Sequence, residues 1–132
     1  MEQGEFEVFN KALGSVTPLN TVNLRSRVAG ELVELRFEEG QRVKKGDLLA
    51  VIDPRPYKVA LQQAEGTLQQ NRAQLKNAQV DFERYRGLYA DDSIAKQTLD
   101  TQEALVSQYQ GTLAANQAAV NEARLNLEFT QI

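Results

Sequence analysis

The chain has neither cysteine nor histidine among its 132 residues. Those absences remove thiol chemistry, disulfides, Cys/His zinc sites and every catalytic triad that needs an imidazole. They also leave the redox compartment unread, because a cysteine-free chain suits any of them. Proline is scarce: there are three, and none follows Pro56. No run approaches the roughly 18–20 apolar residues that a membrane span requires. The opening MEQGEFEVF lacks the basic and apolar regions of a secretory signal. An export signal or anchor, if the natural protein has one, is expected outside this chain. Nor is there a basic excess: 15 Lys and Arg stand against 18 Asp and Glu, a net charge of −3. A duplex-binding surface needs clustered positive charge, so nucleic acid is not an expected partner.

What is present is ordinary for a folded soluble chain, with 42% hydrophobic and 25% charged residues. The length suits one domain or two small modules. Up to Ile52 the pattern is that of strands. Phe6 and Val8 alternate with Glu5 and Glu7, and Val33, Leu35 and Phe37 alternate with Glu34, Arg36 and Glu38, the period-two signature of a half-buried strand. Turn signals fall at Gly30, at Glu39-Gly40 and at Lys45-Gly46-Asp47. LLAVI, Leu48 to Ile52, is an apolar run of strand length.

From Pro54 the character changes. Asp53 is placed to cap a helix, with Pro54 at the first helical position and Pro56 still within the first turn. The composition then turns to Gln, Ala, Leu, Asn and Arg, mostly good helix formers. Tyr57, Leu61, Ala64, Leu68, Asn71, Leu75, Ala78, Phe82, Tyr85 and Tyr89 recur in steps of four and three. Leu99, Gln102, Val106, Tyr109, Leu113, Asn116, Val120, Ala123, Leu127 and Thr130 do the same. Each is a heptad seam. Asp91, Asp92 and Ser93 lie between them as turn and cap residues, and so short a connection makes the two helices antiparallel.

The register follows from counting. In an antiparallel hairpin the numbers of facing residues sum to a constant. Leu61 with Leu127, Leu68 with Val120, Leu75 with Leu113 and Phe82 with Val106 share one sum. Ala64 with Ala123, Asn71 with Asn116 and Ala78 with Tyr109 share another, one lower. The seams therefore close without a slip, and helices of about 33 residues make a rod roughly 50 Å long. Asn71 and Asn116 fall in one layer. A buried polar pair penalises shifted registers; in a thin seam both amides could instead turn partly to solvent.

Little else suggests chemistry. Glu38, Glu39, Asp47 and Asp53 sit around turns, where carboxylates are ordinarily solvated, and nothing predicts a pocket around them. Gly40 and Gly46 are not followed by the GK[ST] helix of a phosphate loop. Gly66 and Gly111 weaken the helices relative to Ala; either a neighbouring helix approaches closely there, or the face is simply solvated. Lys58 would lie inside a helix, a poor site for a swinging-arm carrier.

The order of these pieces resembles one family. LGSVTPLNTVNLRSRVAGELVELRFEEGQRVKKGDLLAVIDPRPYKVALQQAE resembles its run from a barrel strand through a first lipoyl half into a first helix. RYRGLYADDSIAKQTLD resembles its hairpin tip, and NLEFTQI the start of its returning strand. The family is that of the membrane fusion proteins, the periplasmic adaptor subunits of tripartite efflux pumps, of the resistance-nodulation-division (RND) type in its MdtA-like branch. The likeness covers nearly the whole chain.

It implies an α+β fold: a long antiparallel two-helix coiled-coil hairpin on a partial, first-half lipoyl/biotinyl-like β-sandwich. Residues 1–27 would be barrel-type strand, 28–53 the first lipoyl half, 54–128 the hairpin with its tip near 88–95, and 129–132 the start of the return strand. The second lipoyl half would follow Ile132, so the chain is read as part of a longer protein. Two copies could cover their exposed strand faces by pairing.

The resemblance implies a non-enzymatic adaptor with no cofactor and no metal. It would be periplasmic and associated with the inner membrane. Its partners would be an inner-membrane RND transporter, an outer-membrane TolC-like channel and further copies of itself, commonly in a hexameric ring. The tip contact resembles an Arg-Leu-Ser motif, with Arg84 and Leu88 on the first two positions. Ala95 stands on the Ser position and Ser93 two residues earlier, so Ser93 or Asp92 would have to cap the second helix. Without the resemblance, Arg84 is a solvated residue and Leu88 the end of a seam. Rival readings are an adaptor for an ABC exporter or a type I secretion system, and a self-assembling coiled-coil module.

Overall fold

The computed structural model describes residue 11 and residues 13–132. The alternation at Phe6 and Val8 lies outside the described residues. The regular elements are β1 (Leu32–Leu35), β2 (Ala50–Ile52), α1 (Arg55–Ala90) and α2 (Lys96–Glu128).

The connection from β1 to β2 is folded by two successive turns. The Gln41 N–H donates to the Glu38 carbonyl and the Asp47 N–H to the Lys44 carbonyl, each at 3.1 Å. The third residue of each turn is a glycine with positive φ, Gly40 at 82° and Gly46 at 99°, as a type II turn requires. Side chains reinforce both turns: Gln41 Oε1 accepts from the Glu38 N–H at 2.9 Å, and Asp47 Oδ2 from the Lys44 N–H at 2.7 Å.

β1 and β2 are antiparallel, with Leu32 opposite Ile52, Glu34 opposite Val51 and Leu35 opposite Ala50. The register shifts between Leu32 and Glu34. Val33 is thus an extra residue, and a bulge of this kind interrupts the alternation of faces. Strict alternation would bury Val33 and Leu35 together; here all four residues of β1 are exposed, while Ala50 and Ile52 of β2 are buried. On its other edge β2 meets the chain's end. Val51 bridges to Gln131, the Ile52 N–H donates to the Thr130 carbonyl at 2.8 Å, and the Ile132 N–H donates to the Ala50 carbonyl at 2.9 Å.

Of the expected half-sandwich, the described residues form a small antiparallel sheet of two strands plus this bridge. A sandwich needs a second sheet packed about 10 Å away, and none lies there among the described residues. Close packing does occur beneath β2. A Cβ built on Gly30 would lie 2.5 Å from Ile52 Cγ2, so glycine is needed for the approach. The Arg27 guanidinium sits 4.8 Å from the centre of the Phe129 ring, and the Tyr57 hydroxyl donates to the Ala29 carbonyl at 2.5 Å.

The hairpin extends the sheet. β2 leads directly into α1, and α2 returns directly to the segment paired with β2, so the helices inherit the antiparallel sense of the strands. α1 has 36 residues and α2 has 33, lengths of about 54 and 50 Å. Leu68, Leu75, Ala78 and Val120 are buried in the seam between them. The other residues of the two heptad series are half-buried or, for Thr130, buried; Tyr89 near the tip is the exception. Two observations fit the counted register: Glu65 and Arg124 form an ion pair at 3.8 Å across the helices, and Ala78 and Tyr109 line one shallow groove. Thr130 is buried with its hydroxyl donating to the Leu127 carbonyl at 2.7 Å, so no polar group is stranded there.

The start of α1 differs slightly from the sequence reading. The first helical bond runs from the Lys58 N–H to the Pro54 carbonyl at 2.9 Å, which makes Pro54 the boundary residue. Asp53 still does the chemical work of a cap, since its Oδ1 accepts from the Arg55 N–H at 3.0 Å. The Arg55 guanidinium and this backbone bond together hold the Asp53 carboxyl down at about 2.

A folded-state value below the ordinary carboxylate range contributes stability that is present near neutrality and is lost as pH falls through that range toward 2. Glu34, lowered in the same direction by Arg36, adds to the effect. On acid titration followed by circular dichroism, Asp53→Asn is expected to be less stable than the parent above pH of about 4, the difference shrinking to nothing near 2. An equal difference at every pH would show that the charge of Asp53 does not stabilise the fold.

Candidate functional site

The tip of the hairpin gathers most of the residues singled out from sequence. α1 ends on three backbone bonds: the Asp91 N–H to the Gly87 carbonyl at 3.2 Å, the Asp92 N–H to Tyr89 at 3.0 Å and the Ser93 N–H to Leu88 at 2.9 Å. The last two form the Schellman pattern, which requires a left-handed residue between them. Asp92 supplies it with φ of 52°. Glycine is usual there; aspartate is tolerated because its short polar side chain lowers the cost of that conformation. Nothing in the sequence marks Asp92 rather than its neighbours as the left-handed residue, because both aspartates carry the same turn signal.

Leu88 and Ser93 are therefore joined through their backbones, and both are exposed, Leu88 by 38%. Arg84 lies one turn before Leu88 on the same side of α1 and pairs with Asp81 at 3.3 Å, its side chain still mostly exposed. Ala95 takes the cap position of α2 with extended backbone (φ −72°, ψ 146°) and no side-chain hydrogen bond. The cap expected from Ser93 or Asp92 is not formed. Ser93 Oγ instead donates to the Asp91 carbonyl at 3.3 Å, because the left-handed step at Asp92 turns the chain before α2 begins. The tip is thus an exposed reversal, closed by backbone bonds, with an uncapped helix start beside Leu88.

Asn71 and Asn116 are both half-buried in the seam, yet no hydrogen bond joins them among the described residues. Asn71 Nδ2 donates to the Thr67 carbonyl of its own helix at 3.1 Å. Asn116 Nδ2 is buried without a partner. The layer thus holds one unsatisfied buried donor, on Asn116.

Two long antiparallel helices rooted in a small sheet and ending in an exposed turn form a long hairpin arm. The model of the RND MFP alpha-helical hairpin domain matches residues 60–130. The chain belongs to the RND-type membrane fusion proteins. It is 54% identical over 120 residues to the multidrug resistance protein MdtA of Pectobacterium carotovorum, covering 91% of this chain and 29% of that relative. Against MdtA of Escherichia coli K12 it is 50% identical over 120 residues, with the same shares covered. The chain thus spans about three tenths of the length of these relatives.

Among solved structures, MacA from Actinobacillus actinomycetemcomitans superposes with a TM-score of 0.57 at 27% identity, over 85% of this chain and 37% of that one. A MacA–MexA chimera carrying the Pseudomonas aeruginosa MexA α-hairpin superposes with a TM-score of 0.52 at 36% identity, over 86% and 36%.

Two substitutions probe the site's energetics. Ala95→Ser supplies the missing cap and is expected to stabilise the hairpin by about 1 kcal/mol in chemical denaturation; an unchanged midpoint would mean that the first turn of α2 is satisfied by water at no cost. Asn116→Leu removes the unpaired donor and is expected to stabilise by roughly 1–3 kcal/mol. A loss of stability would show that the Asn116 amide has a partner in solution.

Proposed function

We propose that this chain is the arm of a periplasmic, non-enzymatic adaptor that links an inner-membrane RND transporter to an outer-membrane channel of the TolC type. The hairpin tip docks on the channel. Residues 1–27 and 28–53 with 129–132 are assigned to the adaptor's barrel and lipoyl-like parts, which the rest of a longer protein would complete. The carrying observation is the tip itself: Arg84, Leu88 and Ser93 exposed around a reversal that backbone bonds hold in one shape. A leucine left at the end of a seam, beside an unencumbered helix start, is suited to insert into an apolar notch on a partner. The family membership and the likeness to the multidrug resistance proteins MdtA support the same reading.

In this scheme Arg84 and Leu88 contribute charge and apolar contact, Ser93 and Ala95 shape the turn, and no bond is made or broken. Asn71 and Asn116 act on register: any slip would set an amide against an aliphatic neighbour.

The test is photo-crosslinking from position 88 in the full-length protein inside its Gram-negative host. An adduct with an outer-membrane channel is expected, and Leu88→Asp should abolish drug tolerance to the level of a pump-deficient strain with helicity intact. Adducts solely with other copies of an exported protein would leave a self-assembling hairpin as the better account.

A further inference from the structure

The two broad faces of the hairpin differ in charge. Helical periodicity, anchored by the Glu65–Arg124 pair, places Glu65, Arg72, Lys76, Glu83 and Arg86 of α1 on one face, beside Glu103, Arg124 and Glu128 of α2. The opposite face is that of the groove between Ala78 and Tyr109. There α1 presents Gln63, Thr67, Gln70, Gln74 and Asn77, and α2 presents Gln108, Thr112, Ala115 and Ala119. α2 has no charged residue from Ala104 to Asn121, a length of about 27 Å. A solvated helix face ordinarily carries charge, as the first face of this hairpin does. The second is neutral along most of the arm.

The amides of the neutral face are uncommitted. Among the described residues, side-chain amides bond within the chain at Gln41, Asn71, Gln117 and Asn121, none of which stands on it. Gln63, Gln70, Gln74, Asn77 and Gln108 are all exposed. The Thr67 and Thr112 hydroxyls donate to the Gln63 and Gln108 carbonyls of their own helices, each at 3.1 Å. Toward the tip the face sinks into a hollow of about 180 Å³, lined by Gln74, Asn77, Ala78, Asp81, Leu105 and Tyr109. Ala78 is buried, and its short side chain opposite Tyr109 opens the hollow. The one acid there, Asp81, is paired with Arg84 at 3.3 Å, so the hollow holds no unpaired charge.

We infer that this neutral face binds an uncharged polysaccharide of N-acetylated hexosamines, with the Tyr109 hollow as its anchor. A side-chain amide offers both donors and an acceptor, which matches hydroxyl and acetamido groups that donate and accept in turn. The Tyr109 ring, beside a floor of Ala78 and Leu105, suits the C–H face of a sugar ring. A charged polymer or peptide fits poorly, since this face leaves no ion to pair with it. A purely apolar partner also fits poorly, because it would bury the amides without bonds. The strip runs for the length of several sugar rings, so a chain of them can lie along the arm. The inference concerns this face alone and does not depend on what the tip binds.

The test is titration calorimetry on the full-length protein with chitotetraose, a tetramer of N-acetylglucosamine. Binding is expected, with an affinity that does not change with salt, because no ion pair contributes. Cellotetraose, with hydroxyls in place of the acetamido groups, should bind roughly tenfold more weakly. Gln74→Ala combined with Asn77→Ala removes two exposed amides from the rim of the hollow. That double variant should weaken chitotetraose binding roughly tenfold and leave the thermal midpoint no lower, alanine being the better helix former. Gln79→Ala, on the charged face, should change nothing. No binding of chitotetraose, an affinity that falls with salt, an equal loss with Gln79→Ala, or equal affinity for cellotetraose would each overturn the assignment. Self-association that the double variant abolishes would give the face to a second copy of the chain instead.

Discussion

The seam between α1 and α2 is the contact on which everything else in this chain rests. The sheet is too small to stand alone: a two-stranded pair in water is marginal, and β1 is exposed throughout. The helices are built mostly of good helix formers, but most helical stability in a protein comes from packing of the apolar face. What holds them is one narrow stripe of Leu68, Leu75, Ala78 and Val120 with its half-buried neighbours. Because β2 runs into α1 and α2 runs back to β2, closing the seam also brings residues 130–132 onto the edge of β2. The hairpin thus builds its own base.

A seam of this kind buries one side of each helix and leaves the other to solvent. The two ends of the arm are thereby separated by about 50 Å. Two surfaces lie where the seam does not reach. One is the tip, where the Schellman turn at Asp92 presents Leu88 and Ser93 on a fixed frame and where Ala95 leaves the start of α2 uncapped. The other is the neutral face, where exposed amides border the hollow between Ala78 and Tyr109.

Much of this was legible in the residues. The heptad steps of three and four, read against a constant sum, placed both helices and their register, and the Glu65–Arg124 pair and the Ala78–Tyr109 groove fit that register. The resemblance of the tip and strand segments pointed to the family that the hairpin model matches. The strand region was less legible. Period-two alternation at Val33, Leu35 and Phe37 pointed to one buried face, but a one-residue bulge at Val33 shifts the faces, and bulges leave no mark in hydropathy. The cap of α2 was misread for a similar reason: Ser93 and Asp92 are competent caps by type, yet the left-handed backbone at Asp92 aims them elsewhere.

The sequence by itself determined the periodic features, namely helix identity, helix length and antiparallel register, because each follows from the spacing of apolar residues along a repeating geometry. It also determined what is missing, since chemistry that needs imidazole or thiol cannot be done without them. Only the tertiary structure decided which strand is buried, which aspartate takes the left-handed turn, that Gly30 must admit Ile52, and that Asn116 is left without a partner. Those outcomes depend on where one segment lies against another that is distant in the chain, and such contacts have no period to read.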